Sequence, residues 1–343
     1  MKSHAQPDLD TALMRVLASF AVVLLHLSAR YSAASVFYGS LARFSVPVFL
    51  IISGYYLLGR EYSTARLWKK LLALLGQMLL WSAAYYLFGL ARGTLHWEGP
   101  RALARYLLTM PVHLWYLYAA AALYAFTPVL YVFVQHAGQR RYLYALGLTF
   151  LLGSLVTMAI RADWWPTLGL IVEGKMHLPY SMGFLFLYLL GGYFRRYPLP
   201  RWAVWGLTLG WLLSVLATAL LTLARSRPAG ALDTLWLSFF SPFAMLGGAG
   251  CFASARAFLP RLRLGERAGR VLLELSQCAF GVYLLHPMLG ELFAPWMEPL
   301  GWTWLTIPLR ALAVYGAALG LVWLARRFWS MAVRRIRRAS GRA

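Results

Sequence analysis

Apolar residues run along this chain in blocks of about twenty, separated by short polar breaks. A helix that crosses a bilayer needs roughly 20 apolar residues, because the hydrocarbon core is about 30 Å thick and each residue rises about 1.5 Å. Ten blocks meet that length: 9–29, 36–58, 68–90, 113–134, 142–160, 178–194, 202–224, 234–254, 271–293 and 303–325. The pattern predicts an all-α polytopic membrane protein of about ten transmembrane helices. The breaks are short, so the chain reads as a single membrane domain with a core over 9–325 and a basic tail over 326–343. The longest break, 91–112, contains Gly93, Gly99 and Pro100, and its stretch from Pro100 to Thr109 is expected to form a helix at the membrane surface. The Arg-rich tail from Arg326 onward is expected to be a helix or a disordered anchor.

Composition agrees. Hydrophobic residues make up 61% of the chain and charged residues 13%, against about half and a quarter in soluble domains. The net charge of +22 would suggest nucleic acid in a soluble protein, but its placement argues against that. With the N-terminus inside, 22 of the 33 lysines and arginines fall in inner segments and 8 in outer ones. Arg15, Arg43 and Arg310 remain within spans. This bias follows the positive-inside rule and puts both termini in the cytoplasm. The partner implied is the lipid bilayer, with no nucleic acid. Cys251 and Cys278 lie in apolar spans without metal-ligand spacing and read as small buried residues. The first span carries Arg15 internally and follows Asp8 and Asp10 rather than a basic stretch, unlike a cleavable signal peptide.

Arg15 and His26 change the picture most. They lie eleven residues apart in the first span, which returns them to within about 20° on one helix face, about 16 Å apart along its axis. Ionisable groups at membrane depth are costly and mark a function by default. A snorkelling arginine and a histidine that bonds a neighbouring helix are the plainer readings. Further histidines share the outer half: His286 in Phe280-Gly281-Val282-Tyr283-Leu284-Leu285-His286-Pro287, His113 in His113-Leu114-Trp115-Tyr116-Leu117, and His177. None has the His-x-x-x-His spacing of a helical metal site, so no metal is expected. A neutral imidazole that accepts a hydroxyl proton is the more economical use. At the inner side, Arg66, Lys69 and Lys70 enter the third span within one turn; such a cluster suits phosphates, though positive-inside charge explains it equally. The second span holds Arg43, Pro47, Ser53 and Gly54, where a kink and a close approach are available. Trp115 and Tyr116 suit either stacking on a sugar or an interfacial belt.

These segments together resemble the membrane acyltransferase-3 family, integral-membrane O-acyltransferases of surface glycans. The matching pieces are Arg15-x10-His26 after Asp10, Val46-Pro47-Val48-Phe49 with Ser53-Gly54-Tyr55, the His113 to Leu117 segment, and the Phe280 to Pro287 segment. They lie in family order from about Leu9 to Leu324. The length resembles the family's stand-alone branch, with no appended domain expected. The resemblance implies transfer of an acyl group, acetyl in the first instance, from cytoplasmic acetyl-CoA to a hydroxyl of a cell-surface or lipid-linked glycan. It implies a place in a bacterial cytoplasmic (inner) membrane. His26 matches the catalytic histidine, Arg15 the arginine linked to the acyl donor, and Ser53-Gly54 the Ser-Gly-aromatic motif. Arg66-x-x-Lys69 stands where many members have two arginines, and Lys69 keeps the charge but loses a fork. Arg43, His113, Trp115, Tyr283 and His286 are the expected acceptor-side residues. A secondary transporter or flippase for a glycan is the alternative, since buried Arg and His in ten spans would suit it too.

Overall fold

The computed structural model describes residues 8–61, 63–109, 112–173, 175, 181–261 and 264–339, and among these the chain is helical with no strand. The first half of the chain folds into α1 (Leu9–His26), α2 (Ala33–Leu41), α3 (Ser45–Leu57), α4 (Thr64–Arg92), α5 (Pro100–Thr109), α6 (Trp115–His136) and α7 (Gln139–Phe150). The second half continues with α8 (Thr157–Arg161), α9 (Pro166–Val172), α10 (Ser181–Arg196), α11 (Arg201–Ala229), α12 (Pro242–Phe258), α13 (Glu266–Met297) and α14 (Thr306–Ala339). Helix α5 occupies the bounds expected for the surface helix, and its Tyr106 packs edge-on against Tyr86 of α4 at 5.2 Å. The basic tail extends α14 through Ala339 as helix rather than as a disordered anchor.

Among the described residues, eight helical stretches are long and apolar enough to cross a membrane, against ten blocks in the sequence. The other two blocks hold α10, with 16 described residues, and α12, with 17, about 24 and 26 Å of helix. Both pack into the centre of the bundle, α10 against α3 and α12 against α3 and α11. Small residues allow this. A Cβ on Gly54 of α3 would lie 1.9 Å from the Tyr188 carbonyl oxygen of α10, and one on Gly191 of α10 would lie 2.1 Å from the Ile51 oxygen of α3. The two backbones touch, as small residues permit in membrane helices.

The second expected span is broken. A 3₁₀ turn, Ala42–Phe44, separates α2 from α3. Pro47 lacks the N–H that would bond the carbonyl of residue 43, so the regular ladder cannot pass through Arg43. In the seventh and eighth helices a π-turn over Leu151–Val156 interrupts an otherwise continuous stretch.

Helices α1 and α2–α3 form the centre, with 56% and 72% of their most apolar windows buried, against 28% for α4. The four salt bridges among the described residues join Arg256 to Asp8 and Asp10, Arg30 to Glu298, and Arg225 to Asp233. Each joins residues that ten alternating crossings would place on one side. The Arg256 knot is the densest. Its guanidinium donates to Asp8 at 2.8 Å and to the Tyr55 hydroxyl at 2.8 Å, and Arg195 donates to the same hydroxyl at 3.0 Å. The Tyr56 hydroxyl donates to the other oxygen of Asp8. Burial pushes the Asp8 carboxyl up, but Tyr56 and the Arg256 charge outweigh it and hold the group below its usual range.

Candidate functional site

Arg15, Val22 and His26 lie on one stripe of α1, since steps of seven and eleven residues both return to within about 20°. Arg15 and Val22 line a central cavity of about 360 Å³. Phe49 of α3, Leu74 of α4, Tyr116 and Tyr124 of α6, and Ser276, Phe280 and Tyr283 of α13 complete much of its wall. Arg15 and Ser276 also line a second cavity, of about 280 Å³, that reaches Asp8, Thr11 and Tyr56 at the N-terminal end of α1. The Arg15 guanidinium therefore stands where the two spaces meet. Ser53 lies at the same level: its hydroxyl donates to the Phe49 carbonyl at 2.9 Å, and it sits with Arg15 beside the Tyr116 and Tyr124 hydroxyls.

Beyond the central cavity lies a layer of histidines. The His26 and His286 rings have centroids 5.0 Å apart. The Tyr283 hydroxyl donates to the His113 carbonyl at 2.7 Å, and the His113 ring packs on Tyr85 at 4.3 Å. His26, His113 and His286 are close enough to sense one another's charge, and Arg43 is the nearby cation for His26. Past this layer His26 borders a third cavity, of about 150 Å³, with Arg30, Glu298, Trp302 and Arg310. Among the described residues, no group of three or more His, Cys, Asp or Glu side chains is arranged to hold a metal ion.

His286 owes its orientation to its neighbour. Pro287 has no N–H, so the carbonyl of Tyr283, four residues back, lacks its helical partner. The His286 Nδ1 lies 2.8 Å from that oxygen and 3.2 Å from the Val282 oxygen. A carbonyl only accepts, so Nδ1 carries the proton and Nε2 keeps a lone pair. That Nε2 is buried without a partner. His286 is thereby set up to accept a hydrogen bond rather than to donate one.

The structure draws Arg15, Ser53, Arg43, His26, His113, Tyr283 and His286 along one path. It places four expected residues elsewhere. Gly54 sits in the contact with α10 rather than in a cavity wall. Trp115 is stacked on Phe184 at 5.6 Å, with Phe239 also at 5.6 Å, and its neighbour Tyr116 is the one facing the central cavity. Arg66 and Lys69 are exposed on α4 and line neither the central cavity nor the second one. The buried face of α4 runs through Leu67, Leu71 and Met78. Lys69 is two residues from Leu67, hence on the far side of the helix, whereas Lys70, at a three-residue step, flanks the buried face. His177 lies outside the described residues. Sequence reasoning passed over Tyr124, Ser276 and Gln277, which carry no motif and enter the cavity wall only through packing.

The bundle is apolar enough to sit in a membrane, with a guanidinium, a histidine layer and a run of cavities along its first helix. A family model described as an acyltransferase domain matches residues 8–327, and the chain belongs to the membrane acyltransferase-3 family. No curated protein and no solved structure matches it.

Proposed function

We propose that this protein transfers an acyl group, acetyl in the simplest case, from a coenzyme A thioester on the cytoplasmic side to a hydroxyl of a cell-surface or lipid-linked glycan. Its place is a bacterial inner membrane. The observation that carries the reading is the line of cavities along one face of α1. Arg15 is shared by the inner and central spaces, and His26 faces the outer one.

Each residue then has a task. Arg15 suits the negative or strongly polar part of the donor through charge-assisted hydrogen bonds. The central cavity, walled by Phe49, Phe280 and three tyrosines, suits the uncharged arm of the donor and excludes water. Arg66, Lys69 and Lys70 lie at the cytoplasmic approach and attract phosphates without enclosing them. His26 takes the proton from the acceptor hydroxyl as its oxygen attacks the thioester carbonyl. The carbon–sulfur bond breaks, sulfur leaves as thiolate, and the proton held by His26 returns to it. An ester and a free thiol are the products.

The tetrahedral intermediate needs a donor for its oxyanion. Tyr283 is committed to the His113 carbonyl and His286 presents a lone pair, which favours the Arg43 guanidinium beside His26. The deciding experiment follows acyl transfer to glycan by membranes carrying His26→Gln. A loss of about 10²- to 10⁴-fold is expected. Full turnover by a folded variant overturns the mechanism.

A further inference from the structure

Arg310 of α14 is 4% exposed, yet it enters none of the described salt bridges. One of its terminal nitrogens donates to the Met297 carbonyl, its guanidinium lies 4.3 Å from the Trp302 ring centre, and its Nε is buried without a partner. A buried guanidinium without a carboxylate is costly to keep. Its nearest charges do not cancel it. Glu298 is already paired with Arg30 at 2.7 Å, and the Arg30 guanidinium lies 4.5 Å from the same Trp302 ring. The cavity that these residues share with His26 thus holds two arginines to one glutamate. Its surplus is one positive charge, in a space that the solvent-exposed Arg30–Glu298 pair leaves open and that His26 also borders.

Resting on the acyl-transfer reading, we propose that this cavity binds an oxyanion carried by the acceptor. The group is a carboxylate or phosphate on the sugar that bears the reacting hydroxyl. Arg310 offers a fork that matches either group, which a lysine would not. Arg30 supplies a second donor once the ligand competes with Glu298. Holding the charged group here fixes which hydroxyl of the same sugar meets His26, so the subsite sets regiochemistry as well as acceptor choice.

The test measures binding of three probes to the purified full-length protein in neutral detergent: a methyl glucoside, a methyl glucuronide and glucose 6-phosphate. The two anions are expected to bind about tenfold or more tightly than the glucoside, the scale of one charge-assisted hydrogen-bond pair. Arg310→Gln should remove that preference. Glu298→Gln should widen it, an opposite change that no folding defect would mimic. Equal binding of the three probes, or a preference that survives in Arg310→Gln, overturns the proposal. Competition by phosphatidylglycerol, absent with phosphatidylcholine, would assign the site to a lipid headgroup and overturn it as well. Acetyl-CoA consumption by the same preparations reports separately on the acyl-transfer reading, because binding of the probes does not require turnover.

Discussion

The His286 ring stands 5.0 Å from that of His26, and the proton on its Nδ1 is pinned by the Tyr283 carbonyl that Pro287 leaves free. The pair is thus asymmetric: one imidazole has its tautomer set by its own helix, and the other faces a cavity. Replacing Pro287 with alanine restores the missing N–H and lets it compete for the Tyr283 carbonyl. The helix should tolerate this, since proline in a helix interior is the less favourable residue. Acyl transfer should nonetheless fall severalfold, as His286 loses its fixed tautomer. Thermal stability and turnover of Pro287→Ala, measured on one preparation, check both halves; unchanged turnover would mean that the tautomer of His286 does not bear on transfer.

On the proposed reading, Arg15 bears on the donor alone. Arg15→Gln should raise the KM for acyl-CoA by about 10- to 100-fold, the range for losing a charged hydrogen bond, with the acceptor KM little altered. Steady-state kinetics with each substrate varied in turn separate the two. An equal rise in both would mean that Arg15 supports the fold instead.

The crossing of α3 and α10 has no slack. Gly54→Ala or Gly191→Ala puts a methyl group about 2 Å from a backbone oxygen of the other helix, and backbone cannot rotate aside as a side chain can. Destabilisation of at least about 1–3 kcal/mol is expected, read as a lower unfolding temperature in detergent. Gly76→Ala, where no atom lies within 4 Å of the added Cβ, serves as the control and should be neutral or slightly stabilising.

Acid should loosen the Arg256 knot. The Asp8 carboxyl has a folded pKa below its ordinary value of 3.8, so the folded state favours its ionised form. The stabilisation is complete above that ordinary value and is lost as pH falls through the lower folded one. Asp8→Asn should therefore lower the unfolding temperature at pH 7 and bring wild type and variant closer together below about pH 3. Curves that stay parallel throughout would exclude Asp8 as the titrating group.

Much of this was readable beforehand. The stripe of Arg15, Val22 and His26 needs only helical geometry, and α5 announces itself by Gly99, Pro100 and an amphipathic run. The displacement of Lys69 was readable too, because the phase of Leu67 and Leu71 on α4 turns it outward. The pairing of His286 with the Tyr283 carbonyl had a signal in the His-Pro step within a helical block. Other features had none. The 17-residue α12 is accepted because it packs against α3 and α11, and a linear window cannot weigh that. Trp302 and Arg310 meet Arg30 across more than 270 positions of sequence, and only the folding of α13 and α14 against α1 brings them together.

The glycine contact between α3 and α10 has a mechanical side. Two helices joined backbone to backbone cannot slide or part by small steps, so that half of the bundle behaves as a fixed post. The central cavity has α3 on one side, through Phe49, and α4 on another. Helix α4 closes that side with Leu74 while leaving most of its own surface unburied. It packs through Leu71, Met78 and Tyr85 against α6 and α13, and its first turns carry Arg66, Lys69 and Lys70.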